Sequence, residues 1–227
     1  MTEILDIGDL KLCVSREHRF GTDAVKLAEF TASGLRKSKK AKIVCDLCTG
    51  CGIIPFLLIA GFVKSGDFPA ACPTIYALDI NEDAIILLRE SVKINSLDKV
   101  IFPLLQDLKS ISAIPAGGVD IVTVNPPYYK ADDGFKRKDG GTARHELLCD
   151  IDDVAAAAAR ILKYGGRLKM CHIPERLTDV VYALRKHNLE PKIIEFVANN
   201  KKEPWLMLID AKKGGKPGMI IKLTIDD

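Results

Sequence analysis

The run Asn125-Pro126-Pro127-Tyr128 brings together two carbonyl acceptors, two rigid rings and an aromatic face, directly after an apolar stretch at 119–124. A planar amine is a poor nucleophile because its lone pair is delocalised into the ring or carbonyl that bears it. Acceptors that engage its two N–H groups draw the nitrogen towards a tetrahedral, more nucleophilic state. The Asn125 side-chain carbonyl and the Pro126 backbone carbonyl are two such acceptors at neighbouring positions, and the prolines stiffen the corner that holds them. Tyr128 supplies a face on which a planar target can stack. The proton lost from the amine goes to solvent, so no dedicated general base is required and His145 is given no catalytic part. Tyr129 is read as pocket wall.

A second constellation lies upstream, Asp46-Leu47-Cys48-Thr49-Gly50-Cys51-Gly52, again after an apolar run. Glycines in such a turn permit positive φ and let backbone approach a ligand closely, and a following helix presents free N–H groups to the ligand's carboxylate end. Thr49 sits in the turn as a candidate cofactor-binding residue, and Asp46 is expected to support the loop and the donor's methionine portion. Asp79 closes the next strand-like run, where a carboxylate can accept both ribose hydroxyls. Asp107 follows the third run and can receive an adenine amino group. Only Gly50 and Gly52 of the three-glycine dinucleotide pattern are in place. A ligand without pyrophosphate fits that departure, which favours S-adenosylmethionine over a nicotinamide dinucleotide.

These groups must be positioned by a sheet. Strand-like runs fall at 43–47, 75–79, 100–105, 119–124, 167–172, 193–197 and 205–211, with helical patterns at 23–36, 53–63, 82–95, 152–162 and 175–186. The alternation predicts an α/β, Rossmann-like, mostly parallel sheet covered on both faces. The last two runs are joined by the short stretch 198–204, which suits an antiparallel hairpin. That ending is expected of the seven-stranded class I methyltransferase fold and is unusual for a nicotinamide-binding domain. The link 106–118 carries too little periodicity for a helix. After Ala211 a basic glycine-rich turn leads into a short apolar strand at 219–225.

The 227 residues suit one methyltransferase domain, 1–227, with an N-terminal donor-binding segment and helix at 1–40 and a basic turn and strand at 212–227. Hydrophobic residues make up 48% and aromatics only 6%, so aliphatic packing should dominate the core. A net charge of +3 is too small to announce a nucleic-acid binder, so that argument rests on local clusters. No apolar stretch is long enough to cross a bilayer and no signal peptide is present, so a cytoplasmic protein without membrane attachment is expected. Seven cysteines agree with a reducing compartment. Cys48 and Cys51 form a C-x-x-C, but no second ligand pair at zinc spacing accompanies them. They are read as small residues in a tight loop, with no metal expected.

Three further segments narrow the reading: Phe20-Gly21-Thr22-Asp23 with the following Ala-Val-Lys-Leu-Ala, Ala143-Arg144-His145-Glu146, and Lys202-Glu203-Pro204-Trp205-Leu206 followed by Ala211-Lys212-Lys213-Gly214-Gly215. With the two constellations above, the chain resembles the tRNA1(Val) adenine N6-methyltransferase family over roughly residues 4–218. The chain is expected to be a monomer, and the resemblance implies methylation of the adenosine 3′ of the anticodon. It also implies that Phe20, Gly21, Thr22 and Asp23 help to enclose the donor. Lys130, Lys136, Arg137 and Lys138, in the loop beside the corner, are candidates for phosphate contacts. The chain departs from the family pattern in an insertion at 66–73 and in its short end after the last strand.

The main rival reading is N5-methylation of a glutamine in a translation release factor, which uses the same corner on a planar amide. Only about forty residues precede the first predicted strand, too few for the helical substrate domain of that group. Methylation of another RNA or DNA amino group is a further alternative. A non-catalytic RNA-binding module would have no use for an intact Asp79, Asn125 and Tyr128.

Overall fold

The computed structural model describes residues 2–35, 42–127, 149–200 and 203–226. The chain opens with a hairpin, β1 (Thr2–Ile7) and β2 (Leu10–Ser15), followed by α1 (Thr22–Leu35). Alternating elements then build the sheet: β3 (Ile43–Leu47), α2 (Ile53–Ser65), β4 (Thr74–Asp79), α3 (Glu82–Ile94), β5 (Ile101–Leu105) and β6 (Val119–Val124). The second half contributes α4 (Ile151–Ile161), β7 (Leu162–His172), α5 (Leu177–Lys186), β8 (Leu189–Asn199), β9 (Pro204–Lys213) and β10 (Ile220–Asp226).

The strand order is β10-β8-β9-β7-β6-β3-β4-β5, with β7–β9 and β8–β9 antiparallel and the other neighbours parallel. This is the class I methyltransferase architecture expected from the sequence, with two differences. The final strand, predicted only as a short appendage, joins the sheet as an eighth member parallel to β8. The N-terminal hairpin was not foreseen, because its residues alternate weakly and its turn at Gly8-Asp9 is brief.

The hairpin is fastened to α3 by side chains that imitate a neighbouring strand. Asn95 accepts from the Lys11 amide at 2.9 Å and donates to the Lys11 carbonyl at 2.7 Å. Ser91 Oγ accepts from the Cys13 amide at 2.8 Å. Backbone groups of β2 that its pairing with β1 leaves over are thereby satisfied by side chains.

Apolar residues segregate to the two faces of the sheet. On one face β2, α1, α2 and α3 pack a core containing Leu12, Leu27, Phe56, Ile59, Ile85 and Leu88. On the other, α4 and α5 cover a core containing Val122, Val154, Ile161, Leu168, Met170 and Leu184. The insertion at 66–73 precedes the N-terminal end of β4, at the end of the sheet away from the strand ends that carry the candidate site. Among the described residues no helix is long and apolar enough to cross a membrane.

Candidate active site

The chain runs from β3 outward to β4 and β5, then crosses back to place β6 on the other side of β3. Ligands of open α/β sheets bind where strand order reverses in this way, beyond the carboxyl ends of the strands. A cleft of about 190 Å³ lies there. Its lining includes Gly50 from the turn after β3, Asp79, Ile80 and Asn81 after β4, Asp107 and Leu108 after β5, and Asn125 and Pro127 after β6. The sequence thus identifies five of its walls: Gly50, Asp79, Asp107, Asn125 and Pro127.

Asp79 organises the cleft. One carboxylate oxygen accepts from the Gly50 amide at 2.8 Å and the other from the Asn81 amide at 2.9 Å. Each oxygen of a carboxylate has a second acceptor direction, so two hydroxyls can be added without displacing the backbone. Asn81 in turn caps α3, accepting from the Ala84 amide at 3.0 Å. Asp107 caps the short turn Leu108–Ser110 through the Lys109 amide. Ile80 stands 43% exposed beside Leu108 in the cleft, leaving apolar surface where a flat heterocycle would be held. The donor set, a carboxylate for hydroxyls and an apolar slot beyond it, suits a nucleoside.

The two glycines of the turn serve different ends. Gly50 has φ of 54° and open space where a Cβ would be, on the cleft side. Gly52, with φ of 89°, faces the interior: a Cβ there would lie 2.4 Å from Leu88 Cδ1. It lets the start of α2 approach α3, a packing role, and does not line the cleft. Thr49 is likewise buried.

Asp46 is 1% exposed on β3 and accepts from the Thr123 hydroxyl on β6. Burial pushes its carboxyl up to about 7; the Thr123 and Thr49 hydroxyls oppose that and the charge on Asp79 reinforces it. A carboxyl near 3.9 in the unfolded chain therefore takes up a proton on folding between about pH 4 and pH 7. Its contribution to stability is complete below pH 4 and is lost as pH rises through 7. Urea denaturation of the wild type and of Asp46→Asn should give profiles that diverge across this window, the wild type losing stability relative to the variant. Parallel profiles would mean that Asp46 stays ionised in the fold.

Asn125 is gripped from two sides. Its amide nitrogen donates to Asp23 Oδ2 on α1 at 3.2 Å, and its carbonyl oxygen accepts from the Cys171 thiol on β7 at 3.1 Å. A carboxylate can only accept, so Asp23 determines which way round the amide lies. Neither partner was foreseen in this role. Cys171 had been read only as a small apolar strand residue, and Asp23 only as part of a donor-enclosing segment. Asp23 also accounts for Gly21, since a Cβ there would sit 2.6 Å from the Asp23 carboxylate. Phe20 packs against the core of the α1 face, Thr22 begins α1, and neither lines the cleft. Pro126 is buried behind the corner.

His18, Cys48, Leu78, Ala84, Gln106 and Cys149 complete the lining and were missed. Cys149 has no local signal in the sequence, because only the fold carries the residue before α4 to the cleft. Tyr128, Tyr129, Lys130, Lys136, Arg137, Lys138, Arg144, His145 and Glu146 lie outside the described residues.

No protein-family model matches the chain. It is 24% identical over 166 residues to a tRNA1(Val) (adenine(37)-N6)-methyltransferase of Aeromonas hydrophila, covering 73% of this chain and 64% of that protein, just under two thirds of its length. It is 27% identical over 209 residues to a protein of the same name from Phocaeicola vulgatus, covering 92% of this chain and 82% of that one. Among solved structures, a Listeria monocytogenes chain assigned to the class I S-adenosylmethionine-dependent methyltransferases matches with a TM-score of 0.67 at 17% identity, covering 93% of this chain and 67% of that one. The M. jannaschii tRNA m1G37 methyltransferase matches with a TM-score of 0.61 at 20% identity, covering 95% and 57%. The structural likenesses establish the fold, and the sequence likenesses extend over most of the chain.

Proposed function

We propose that this chain is an S-adenosylmethionine-dependent methyltransferase that methylates N6 of an adenosine in the anticodon loop of tRNA. The observation that carries this reading is Asn125, held at the end of β6 by Asp23 and Cys171 beside the cleft that Asp79 and Gly50 organise. The names of the sequence relatives supply the substrate class.

When bound, the donor supplies a methyl group made electrophilic by its sulfonium. Asp79 binds ribose hydroxyls, Ile80 and Leu108 flank the adenine, and Asp107 accepts from the adenine amino group. The Asn125 carbonyl and the Pro126 backbone carbonyl accept from the two N–H groups of the target amine, raising the electron density on its nitrogen. Because Asp23 and Cys171 hold the Asn125 amide before substrate arrives, little reorganisation accompanies the reaction. Tyr128, adjoining Pro127, stacks on the target base. Lys130, Lys136, Arg137 and Lys138 contact phosphates around it.

An anticodon-loop adenosine is already single-stranded, so bringing it to the corner costs less than extruding a paired base from a duplex. With labelled donor and three substrates in parallel (unmodified tRNA, adenine-containing duplex DNA and a translation release factor), label should appear as N6-methyladenosine from tRNA, with little in DNA and none in protein. Label recovered as N5-methylglutamine, with the tRNA unlabelled, would replace this reading by the protein-methylating one.

A further inference from the structure

Two cysteines of the cleft are used by nothing described so far. Cys48 sits in the turn after β3 with φ of 56°, and Cys149 lies immediately before the Asp150 cap of α4. Both are half-buried and both line the donor cleft. Both also pack against the core on the α4 face of the sheet, whereas Cys51, the other half of the C-x-x-C, is buried in the core on the opposite face. The neighbour of Cys48 in space is therefore Cys149, and the C-x-x-C spacing misdirects.

We infer that Cys48 and Cys149 form an oxidisable dithiol whose disulfide obstructs the donor cleft. The inference rests on the reading of that cleft as the donor site. The thiol pair is already differentiated. Interaction with Cys48, aided by the Lys109 charge, holds Cys149 below the ordinary thiol range against burial and the charges of Asp153 and Asp107. The same interaction, with burial, pushes Cys48 well up. Burial pushes Cys51 and Cys72 up to about 11, so these thiols are the less reactive ones.

With a hydroperoxide as oxidant, the Cys149 thiolate attacks the peroxide oxygen: an S–O bond forms, the O–O bond breaks, and hydroxide leaves and is protonated to water. The Cys48 sulfur then attacks the Cys149 sulfenic sulfur and loses its proton. The S–O bond breaks and the departing hydroxide becomes a second water. Two thiols and one hydrogen peroxide give one disulfide and two waters, the two electrons passing from sulfur to peroxide oxygen. An S–S bond of about 2.05 Å pulls the turn after β3 and the residue before α4 together, at the wall where Gly50 and Asp79 face the donor.

The test compares reduced and peroxide-treated protein by two independent readouts, mass spectrometry of cysteine cross-links and calorimetric titration with S-adenosylhomocysteine. The expected result is a Cys48–Cys149 linked peptide, a loss of affinity of about tenfold or more that dithiothreitol reverses, and slower linkage when S-adenosylhomocysteine is already bound. In Cys149→Ser, peroxide should no longer change affinity, whatever its starting value, while Cys72→Ser should respond like the wild type. If Cys149→Ser fails to fold, the wild-type cross-link and its reversal decide alone. Absence of that linked peptide, or its formation with affinity unchanged, would overturn the inference. Reduced protein that binds no S-adenosylhomocysteine would instead sink the donor reading, with the cross-link still read by mass.

Discussion

Replacing Asn125 with Ala is expected to lower the rate of methyl transfer by roughly 10²–10³-fold while leaving donor affinity within about twofold of the wild type, since one preorganised polar group at a reacting centre is typically worth that much. The side chain lines the cleft and its partners there include protein groups, Asp23 and Cys171. On the proposed reading, what the variant removes is an acceptor aimed at the target nitrogen. Asp23→Ala should reproduce part of the loss, because the carboxylate dictates the orientation of the Asn125 amide. Single-turnover kinetics with saturating donor, set beside calorimetry with S-adenosylhomocysteine, separates the two quantities. If Asn125→Ala lost the donor and kept its single-turnover rate, the residue would belong to the donor site and the target-amine role would be wrong.

Asp79→Ala should show the opposite pattern. It removes charge-assisted bonds to two hydroxyls, each worth about 1.5–3 kcal/mol, so donor affinity should fall at least about a hundredfold. The substitution also strips the acceptor from the Gly50 and Asn81 amides and so loosens the turn after β3 and the approach to α3. At donor concentrations high enough to saturate the variant, the transfer rate should recover to within about tenfold, because Asp79 does not reach the target amine. A variant that binds donor normally would remove Asp79 from the ribose position.

The parts of this site legible in the sequence are those whose signal is local. Asp79 and Asn125 each end an apolar run, and a polar residue at a strand's carboxyl end in an alternating α/β pattern is placed at the ligand edge by topology alone. Strand and helix limits were also local, set by alternation, by the Asn81 and Asp150 caps and by Gly66. The residues whose structural part the sequence did not show act across the fold. Gly52 looked like a ligand glycine because of its spacing, yet its missing Cβ answers to Leu88 on another helix. Cys171 looked like filler in a strand, and only the pairing of β6 with β7 brings its thiol to Asn125. The N-terminal hairpin escaped because its stability comes from Asn95 and Ser91 on α3, which no pattern within residues 2–15 can announce.

The grip on Asn125 also bears on how the chain acquires its two capabilities during folding. The bond from Asp79 to the turn after β3 joins residues 29 apart in the chain, whereas those that orient Asn125 span 46 residues to Cys171 and 102 to Asp23. Closing a longer loop carries a larger entropic cost, and contacts between distant segments form later. The bond that fixes the turn after β3 is thus a local one, available once β3 and β4 have paired. The orientation of the Asn125 amide awaits the docking of α1 on one side and the pairing of β7 with β6 on the other, so it matures later than the turn after β3.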